Sequence, residues 1–549
     1  MSGGTLTIAN ALSGSALVVG GQFVVDGLFS GPVEAHTAGV VSGTGTIAAL
    51  TIGAGGVHSP GNSIGVQYIT GDYANHGTLL IEATPTAADR IVVGGSVDIT
   101  GATLDVLLSP ADASSWNLLN GPFIIIDNLS PGATIGTFGD VTRDLLFLDT
   151  ILDYAGGDGN DVTLELRRND VAFAGVGITR NQVATGTAID TLGAASPIWR
   201  AIALSSTPDV ARASFDALSG DIHASMRTAL IEDSRFVRNA MNDRLRTAFG
   251  GRVGASLAPP LSDAPGQSPM PGLPDPSAPG FWSQAFGSWG MTGSDGNAAH
   301  LDRSTGGLLA GVDGIIADWR VGLLAGYSHS RFDSNRRASS GLSDNYHLGL
   351  YGGTAWSNLA FRSGLAYTWQ DIDTRRSVAV PGIAERLTAD NDSGTFQAFG
   401  EFGYGMGAGA SRFEPFANLA YVNLDGDSFS ERGGVSALSV ASGTTGVTFT
   451  TLGLRAEQRL ALGTMDVALR GMIGWRHAFG DTTPESFHRF SGGDVFTIAG
   501  VPIADNTAVI EAGLNLDLAP NATFSVSYVG QIASDAQDHG VKADLAIRF

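Results

Sequence analysis

Between residues 281 and 549 apolar residues alternate with small or polar ones in segment after segment, and this period of two limits the fold more than any other feature. In "WRVGLLAGYSHS", Trp319, Val321, Leu323, Ala325 and Tyr327 alternate with Arg320, Gly322, Gly326 and Ser328. In "AFRSGLAYTW", Phe361, Leu365, Tyr367 and Trp369 alternate with Arg362, Gly364 and Thr368. In "VIEAGLNLDL", Ile510, Ala512, Leu514, Leu516 and Leu518 alternate with Glu511, Asn515 and Asp517. About twelve such segments run from 281–290 to 539–549. One face is lipid-like with aromatics near its ends; the other is polar or glycine. Soluble sandwiches also alternate, but seldom over strands this long. Connections alternate between tight ("GIIADWR", "GTAWSNL") and long ("SNRRASSGLSD", "RRSVAVPGIAERLTADND"). No run approaches the roughly 18 apolar residues that a membrane-spanning helix needs. Residues 281–549 therefore predict a 12-stranded antiparallel transmembrane β-barrel.

The chain stops on "GVKADLAIRF". Val541, Ala543, Leu545, Ile547 and Phe549 share one face, and Lys542, Asp544 and Arg548 share the other with Ala546. A barrel loses its edges only when its last strand pairs with its first, so this strand is expected to close the cylinder.

Composition fits a membrane barrel and an exported chain. Charged residues make up 15%, against about a quarter in soluble domains. With no cysteine, disulfides and thiolate metal sites are excluded. The net charge of −22 argues against nucleic acid as a partner. The N-terminus "MSGGTLTIANALSGS" has neither a basic n-region nor an apolar h-region, so either an export signal lies upstream of residue 1 or the chain is not exported.

Residues 1–168 read as short strands between Gly, Asn, Asp and Ser turns, as in "GSALVVGGQFVVDG" and "GTGTIAALTIGAGG". Degenerate rungs of this kind predict a parallel β-solenoid, with a β-sandwich as the alternative. Residues 169–280 form a linker. In "TPDVARASFDALSG", Thr207 is a candidate N-cap and Pro208 the first helical residue, with a break at Ser219-Gly220. A helix over about 221–247 follows, with Ile222, Met226, Leu230, Val237, Met241 and Leu245 in one narrow stripe. Arg227, Glu232, Arg235, Arg238 and Arg244 lie elsewhere on its surface, which makes it too charged for lipid. Twenty-six helical residues span roughly 39 Å, enough to thread a bilayer inside a water-filled tube. A surface or coiled helix is the alternative. The Pro-rich "LAPPLSDAPGQSPMPGLPDPSAPG" then connects it to the barrel.

The order of solenoid, helix and aromatic-ended barrel resembles the monomeric autotransporters of type V secretion over essentially the whole chain. The most specific stretches are "ALSGDIHASMRTALIEDSRFVRNAMNDRLR" leading into "FWSQAFGSWG", and "VKADLAIRF", which is similar to the signal read by the outer-membrane assembly machinery. "SPGNSIGVQYITGDYANHGTLLIE" resembles a repeat of solenoid passengers, and "YAGGDGNDVTLEL" resembles a passenger's C-terminal cap or autochaperone end.

The resemblance implies an all-β protein with a right-handed parallel β-solenoid passenger, a pore-spanning helix and an outer-membrane barrel in a Gram-negative cell. The solenoid would be displayed on the surface as an adhesin or interaction module. The implied partners are outer-membrane lipid, the β-barrel assembly machinery, the Sec translocon and periplasmic chaperones, and ligands on host or neighbouring cells. The chain is expected to be a monomer, without cofactor and not itself an enzyme. A passenger of 168 residues is short for the family, so adhesin, protease or esterase chemistry would lie in a distal part. The alternatives are a displayed hydrolase whose catalytic part is missing here, and a passive porin. Residues 541–549 would form the assembly signal through Val541, Ala543, Leu545, Ile547 and Phe549. Some family members release their passenger by cyclisation of an asparagine inside the barrel, and the resemblance places that role at Asn239-Ala240. Glu401, Glu414, Glu457 or Glu511 would supply the acid. The plainer reading pairs the wall acids with Arg362, Arg455 and Arg470.

Two further motifs resolve into turns. "GNSIG" satisfies the nucleophile pattern around Ser63, but a strand follows where an elbow needs a helix. "GGDGNDVTL" (156–164) matches most of a calcium nonapeptide, but it is a single copy with Thr163 at the position of the large apolar residue. The histidines are scattered, with no H-E-x-x-H spacing.

Overall fold

The computed structural model describes residues 1–84, 86–108, 122–143, 145–249, 279–408, 410–462, 465–519 and 521–548. They form two compact units. One comprises Met1–Ile178, Thr185–Phe215 and Ala379–Ala384, and the other Thr179–Ala184, Asp216–Val378 and Glu385–Phe549.

In the second unit the alternating segments become twelve long strands. They are β1 (Gly280–Thr292), β2 (Leu301–Ile316), β3 (Trp319–Ser334), β4 (Ser339–Trp356), β5 (Leu359–Val380), β6 (Ile383–Tyr404), β7 (Ser411–Gly426), β8 (Gly443–Leu462), β9 (Met465–Gly480), β10 (Asn506–Ala519), β11 (Ala522–Ile532) and β12 (Ala536–Arg548). Each neighbours the next, and β12 returns to β1 in unbroken antiparallel register from Gly280↔Arg548 to Thr292↔Ala536. The cylinder is closed. Its outer face carries exposed Leu308, Val312, Leu323, Leu350, Leu365 and Ile473, with Trp289, Trp319, Trp356, Trp369 and Trp475 among the exposed aromatics. A belt of this extent is not tolerated in water and suits lipid.

Two expected long loops are mostly strand instead: of "SNRRASSGLSD" only residues 335–338 lie between β3 and β4, and the second is absorbed down to its turn. "RRSVAVPGIAERLTADND" extends β5 and β6 into a hairpin that turns at Pro381-Gly382. Its alternation continues to the turn, and Pro followed by Gly382 at φ 71° is the residue pair a type II turn selects. The loops after β7 and β9 contribute a separate four-stranded sheet: Phe429–Ser430, Leu438–Val440, Glu485–Phe490 and Val495–Ala499.

Residues 1–108 form rungs that pair in parallel, which sets aside the sandwich. Apolar residues stack on apolar residues: Phe23↔Val41, Val33↔Leu50, Ile47↔Ile69, Ile69↔Val93 and Leu79↔Leu104. Each rung buries its inner face only because the next covers it. The end is different. Phe123–Asn128 stacks in parallel on Arg90–Val93 but pairs antiparallel with Asp161–Arg168, which pairs in turn with Leu148–Gly156. "GGDGND" is the turn of that last hairpin.

A polar ladder crosses the solenoid core. His58 is fully buried, bonded through Nδ1 to Tyr73 Oη (2.9 Å) and through Nε2 to Gln67 Oε1 (2.8 Å). Burial holds His58 down at about 4, from an ordinary value of 6.5. The folded state thus resists protonation. His58's contribution is complete above pH 6.5 and is lost as pH falls toward 4, by about 3 kcal/mol in all. Asp89, pushed up to about 6 by burial, acts in the opposite sense. Comparison with a His58→Asn variant cancels that second group. Hydrogen exchange at Val66–Ile69 should show the stability difference between protein and variant changing by about 3 kcal/mol from pH 7 to 4.

Among the described residues, the chain from Arg180 to Phe249 forms five helices: α1 (Arg180–Asp190), α2 (Pro197–Ala203), α3 (Pro208–Leu218), α4 (Asp221–Asp233) and α5 (Arg235–Phe249). The expected N-cap at Thr207 is made, with Val210 N–H donating to its Oγ1 (3.3 Å). Helices α1 and α2 carry no strong periodic signal and were not expected. The expected single helix over 221–247 is divided at Ser234, whose Oγ donates back to the Ile231 carbonyl (2.7 Å). Such back-bonding bends helices.

Candidate functional site: a plugged pore

A helix enclosed by a barrel must match the wall in shape and in charge, and α4 and α5 do both. The stripe residues Ile222, Met226 and Leu230 pack among Phe332, Ile372, Leu424 and Val447. Val237, Met241 and Leu245 pack among Trp282, Leu309, Leu324 and Tyr351. The wall is hollowed where the helix is bulky. A Cβ on Gly349 would lie 2.0 Å from Met241 Cε, so a larger residue there would push the end of the methionine aside.

The charged positions of the helix are met one by one. Arg227 donates to the Gly443 carbonyl (2.8 Å), Glu232 accepts two bonds of 2.7 Å from Arg476, and Arg235 pairs with Asp538 (2.5 Å). Asp233 pairs with Arg303 (3.3 Å), and Arg238 donates to Gln397 Oε1 (3.0 Å). Near the other end, Arg244 forks onto Asp313 through Nε (2.5 Å) and Nη2 (2.9 Å), and Asp243 pairs with Lys542. Gln397 also donates to the Ser234 carbonyl (3.0 Å), which occupies the acceptor at the bend. The expected water-filled tube is packed around α4 and most of α5, and a cavity of about 700 Å³ remains at the end of α5, lined by Arg246, Thr247, Glu457 and Arg470 among others.

A second cluster lies in the wall, on four successive strands. Arg362 of β5 and Arg455 of β8 each bind both Glu401 of β6 and Glu414 of β7, at 2.7–2.8 Å. Removing one partner of a buried pair leaves the others uncompensated, at a cost of about 3–5 kcal/mol. Glu401→Ala should therefore lower the temperature at which the barrel loses its heat-modifiable mobility on gels, whereas Glu457→Ala, whose partner Arg459 is exposed, should not.

The carboxylates considered for cleavage are thus occupied. Glu401 and Glu414 hold Arg362 and Arg455, Glu457 holds Arg459 (3.4 Å), and Glu511 holds Lys542 (3.2 Å). Asn239 is half-buried on α5 and Ala240 is buried beside it. Among the described residues none of the four acids bonds to Asn239. The nearest α5 carboxylate, Asp243 one turn on, is taken by Lys542 and Arg246. Arg470, expected to pair with a wall acid, reaches Thr247 Oγ1 at 3.5 Å instead.

The closing strand places Val541, Ala543, Leu545 and Ile547 opposite Gly287, Ala285, Ser283 and Phe281 of β1. Phe549 lies outside the described residues. Ser63 sits in a turn and is followed by the strand Val66–Ile69, so it forms no elbow.

Sequence reading missed the counter-charges Asp313, Arg476, Asp538 and Asp233. Their signal was present: each wall residue of this group falls on the inward phase of its strand, and Asp233 follows Glu232 on the helix. It also missed the contacts over the top of the helix. Asp221 accepts from the Ala299 N–H (3.0 Å) and from Arg337 (3.2 Å). His223 donates to Glu431 (2.8 Å), and Arg376 binds Glu431 through two bonds of 2.8 Å.

Residues 281–529 match the family described as the autotransporter β-domain. Two sequences of Serratia marcescens described as "extracellular serine protease" are similar, at 31% identity over 600 residues and 29% over 601. Each match covers 100% of this chain, and the chain spans 55% of the length of these curated relatives. The translocator domain of autotransporter NalP from Neisseria meningitidis is similar at 14% identity, with a TM-score of 0.43 over 58% of this chain and 98% of that one.

Proposed function

The chain belongs to the autotransporters, with its barrel in the outer membrane and its passenger on the outside, and from that premise we propose that residues 1–168 are displayed as an interaction surface rather than as an enzyme. The observation that carries this reading is the solenoid itself. Its core is filled by stacked apolar side chains and the His58–Tyr73–Gln67 ladder. The serine of "GNSIG" has no elbow, and the chemistry of a hydrolase would need residues that the described rungs do not bring together. The barrel's lipid belt supports outer-membrane lipid as its surroundings; a monomeric state, delivery by the Sec translocon and periplasmic chaperones, and folding by the β-barrel assembly machinery follow from the family reading alone.

A second reading is favoured by the names of the Serratia relatives, which are serine proteases: the barrel would export a protease whose catalytic part lies outside these residues. One experiment separates the two. Cells displaying this chain are tested for adhesion to host and neighbouring bacterial cells and for hydrolysis of casein. Adhesion that is lost on removal of residues 1–168, without hydrolysis, supports the first reading; hydrolysis by the displayed chain overturns it.

A further inference from the structure

The upper end of the plug helix is held far more elaborately than sealing a pore requires. Four loops of the barrel reach it. Asp221, the first residue of α4, is bound by Ala299 after β1 and by Arg337 after β3. His223 is bound by Glu431 after β7, which Arg376 fixes in place. The segment after β9 donates from His488 to the Ser219 carbonyl (2.9 Å), and its Val501 N–H donates to Ser225 Oγ (3.1 Å). Further up the chain, Asn181 makes a two-bond clamp with the Ala499 backbone, at 2.8 and 2.9 Å.

Between these grips the backbone turns sharply at Gly220, with φ 69° and ψ 31°. A Cβ there would lie 2.5 Å from Leu438 Cδ1, so the turn is wedged against the loop that carries Glu431. Tension arriving from the passenger side reaches Asn181 and then residues 219–225 before it reaches the body of the helix. It meets several hydrogen bonds at once, and bonds loaded together share the force. The ion pairs deeper in the pore, from Glu232–Arg476 to Arg244–Asp313, stand behind them.

We propose that these loops form a clasp that makes α4 and α5 the load-bearing anchor of the passenger, so that a pull on residues 1–168 unfolds the solenoid before it draws the helix from the pore. The proposal rests on the reading that the passenger stays displayed and attached.

The test is force spectroscopy on the full chain in supported outer-membrane-like bilayers, with the handle at residue 1. Stepwise release of roughly 600 Å of contour, 168 residues at about 3.6 Å each, should precede any opening of the pore to ions. Glu431→Ala and the milder Asn181→Ala each remove buried bonds and should speed helix extraction at fixed load by about tenfold or more. Heat-modifiability verifies that each variant barrel has folded, and the Asn181 variant alters no wall residue. Extraction of the helix before solenoid unfolding, or unchanged extraction rates in both variants, overturns the clasp. On intact cells carrying the same handle, a residue 1 that cannot be reached from outside overturns the display reading instead.

Discussion

Deletion of residues 221–249 is expected to turn an electrically silent barrel into a conducting one. The helix is packed against the wall over most of its length, and a helix with its side chains is about 10–12 Å across, so its removal frees a channel of that width. The wall it leaves is hydrophilic: Arg476, Asp538, Arg303, Asp313 and Lys542 all lose helical partners and would be solvated. Purified protein in planar bilayers should show no steady current, and the deletion variant a stable ohmic one with discrete openings. Because the freed charges have mixed sign, weak ion selectivity is expected. The same loss of pairs should lower the barrel's thermal stability, so conductance is read well below the unfolding temperature. A passive porin would conduct equally with and without the helix.

The second large effect concerns closure. Removing residues 541–549 takes away most of β12, which pairs with β11 on one side and with β1 on the other. Two strand edges would then face lipid, where each unsatisfied backbone group costs several kcal/mol. No local repair can supply that many bonds. The truncated chain should yield no heat-modifiable barrel in membranes and should be cleared by periplasmic proteolysis. Placing Asp at Leu545, on the lipid-facing phase opposite Ser283, should weaken assembly less, since the ladder survives and only one charge faces lipid. Leu545→Ile should be neutral. An inserted barrel without residues 541–549 would mean that closure does not depend on this strand.

The barrel was legible because its physics is local. Period-two alternation, tight turns and aromatic ends are written into each strand, and all twelve segments correspond to strands. What was illegible was where strands stop. The segment from Ser377 to Asp390 looked like a loop because its outward residues are polar, and polarity marks the end of lipid but not the end of a ladder. The plug helix was legible from its stripe and its charge, whereas the bend at Ser234 depends on Gln397 taking the freed carbonyl, a contact 163 residues away. The pairing of Glu401 and Glu414 with Arg362 and Arg455 follows from inward phase, yet which acid meets which arginine depends on the stagger between strands, which a single sequence does not state. The clasp was invisible for the same reason, since a loop carries Glu431 onto His223 of α4 and Arg376 of β5.

The measurement that tests the account most directly is protease shaving of intact cells expressing the chain behind a functional signal peptide, with an epitope at residue 1. The epitope is expected to disappear from whole cells while a resistant fragment covering residues 281–549, identified by peptide mapping, remains in the outer membrane. An epitope that stays protected until the outer membrane is breached would contradict it, and would leave a barrel whose solenoid faces the periplasm.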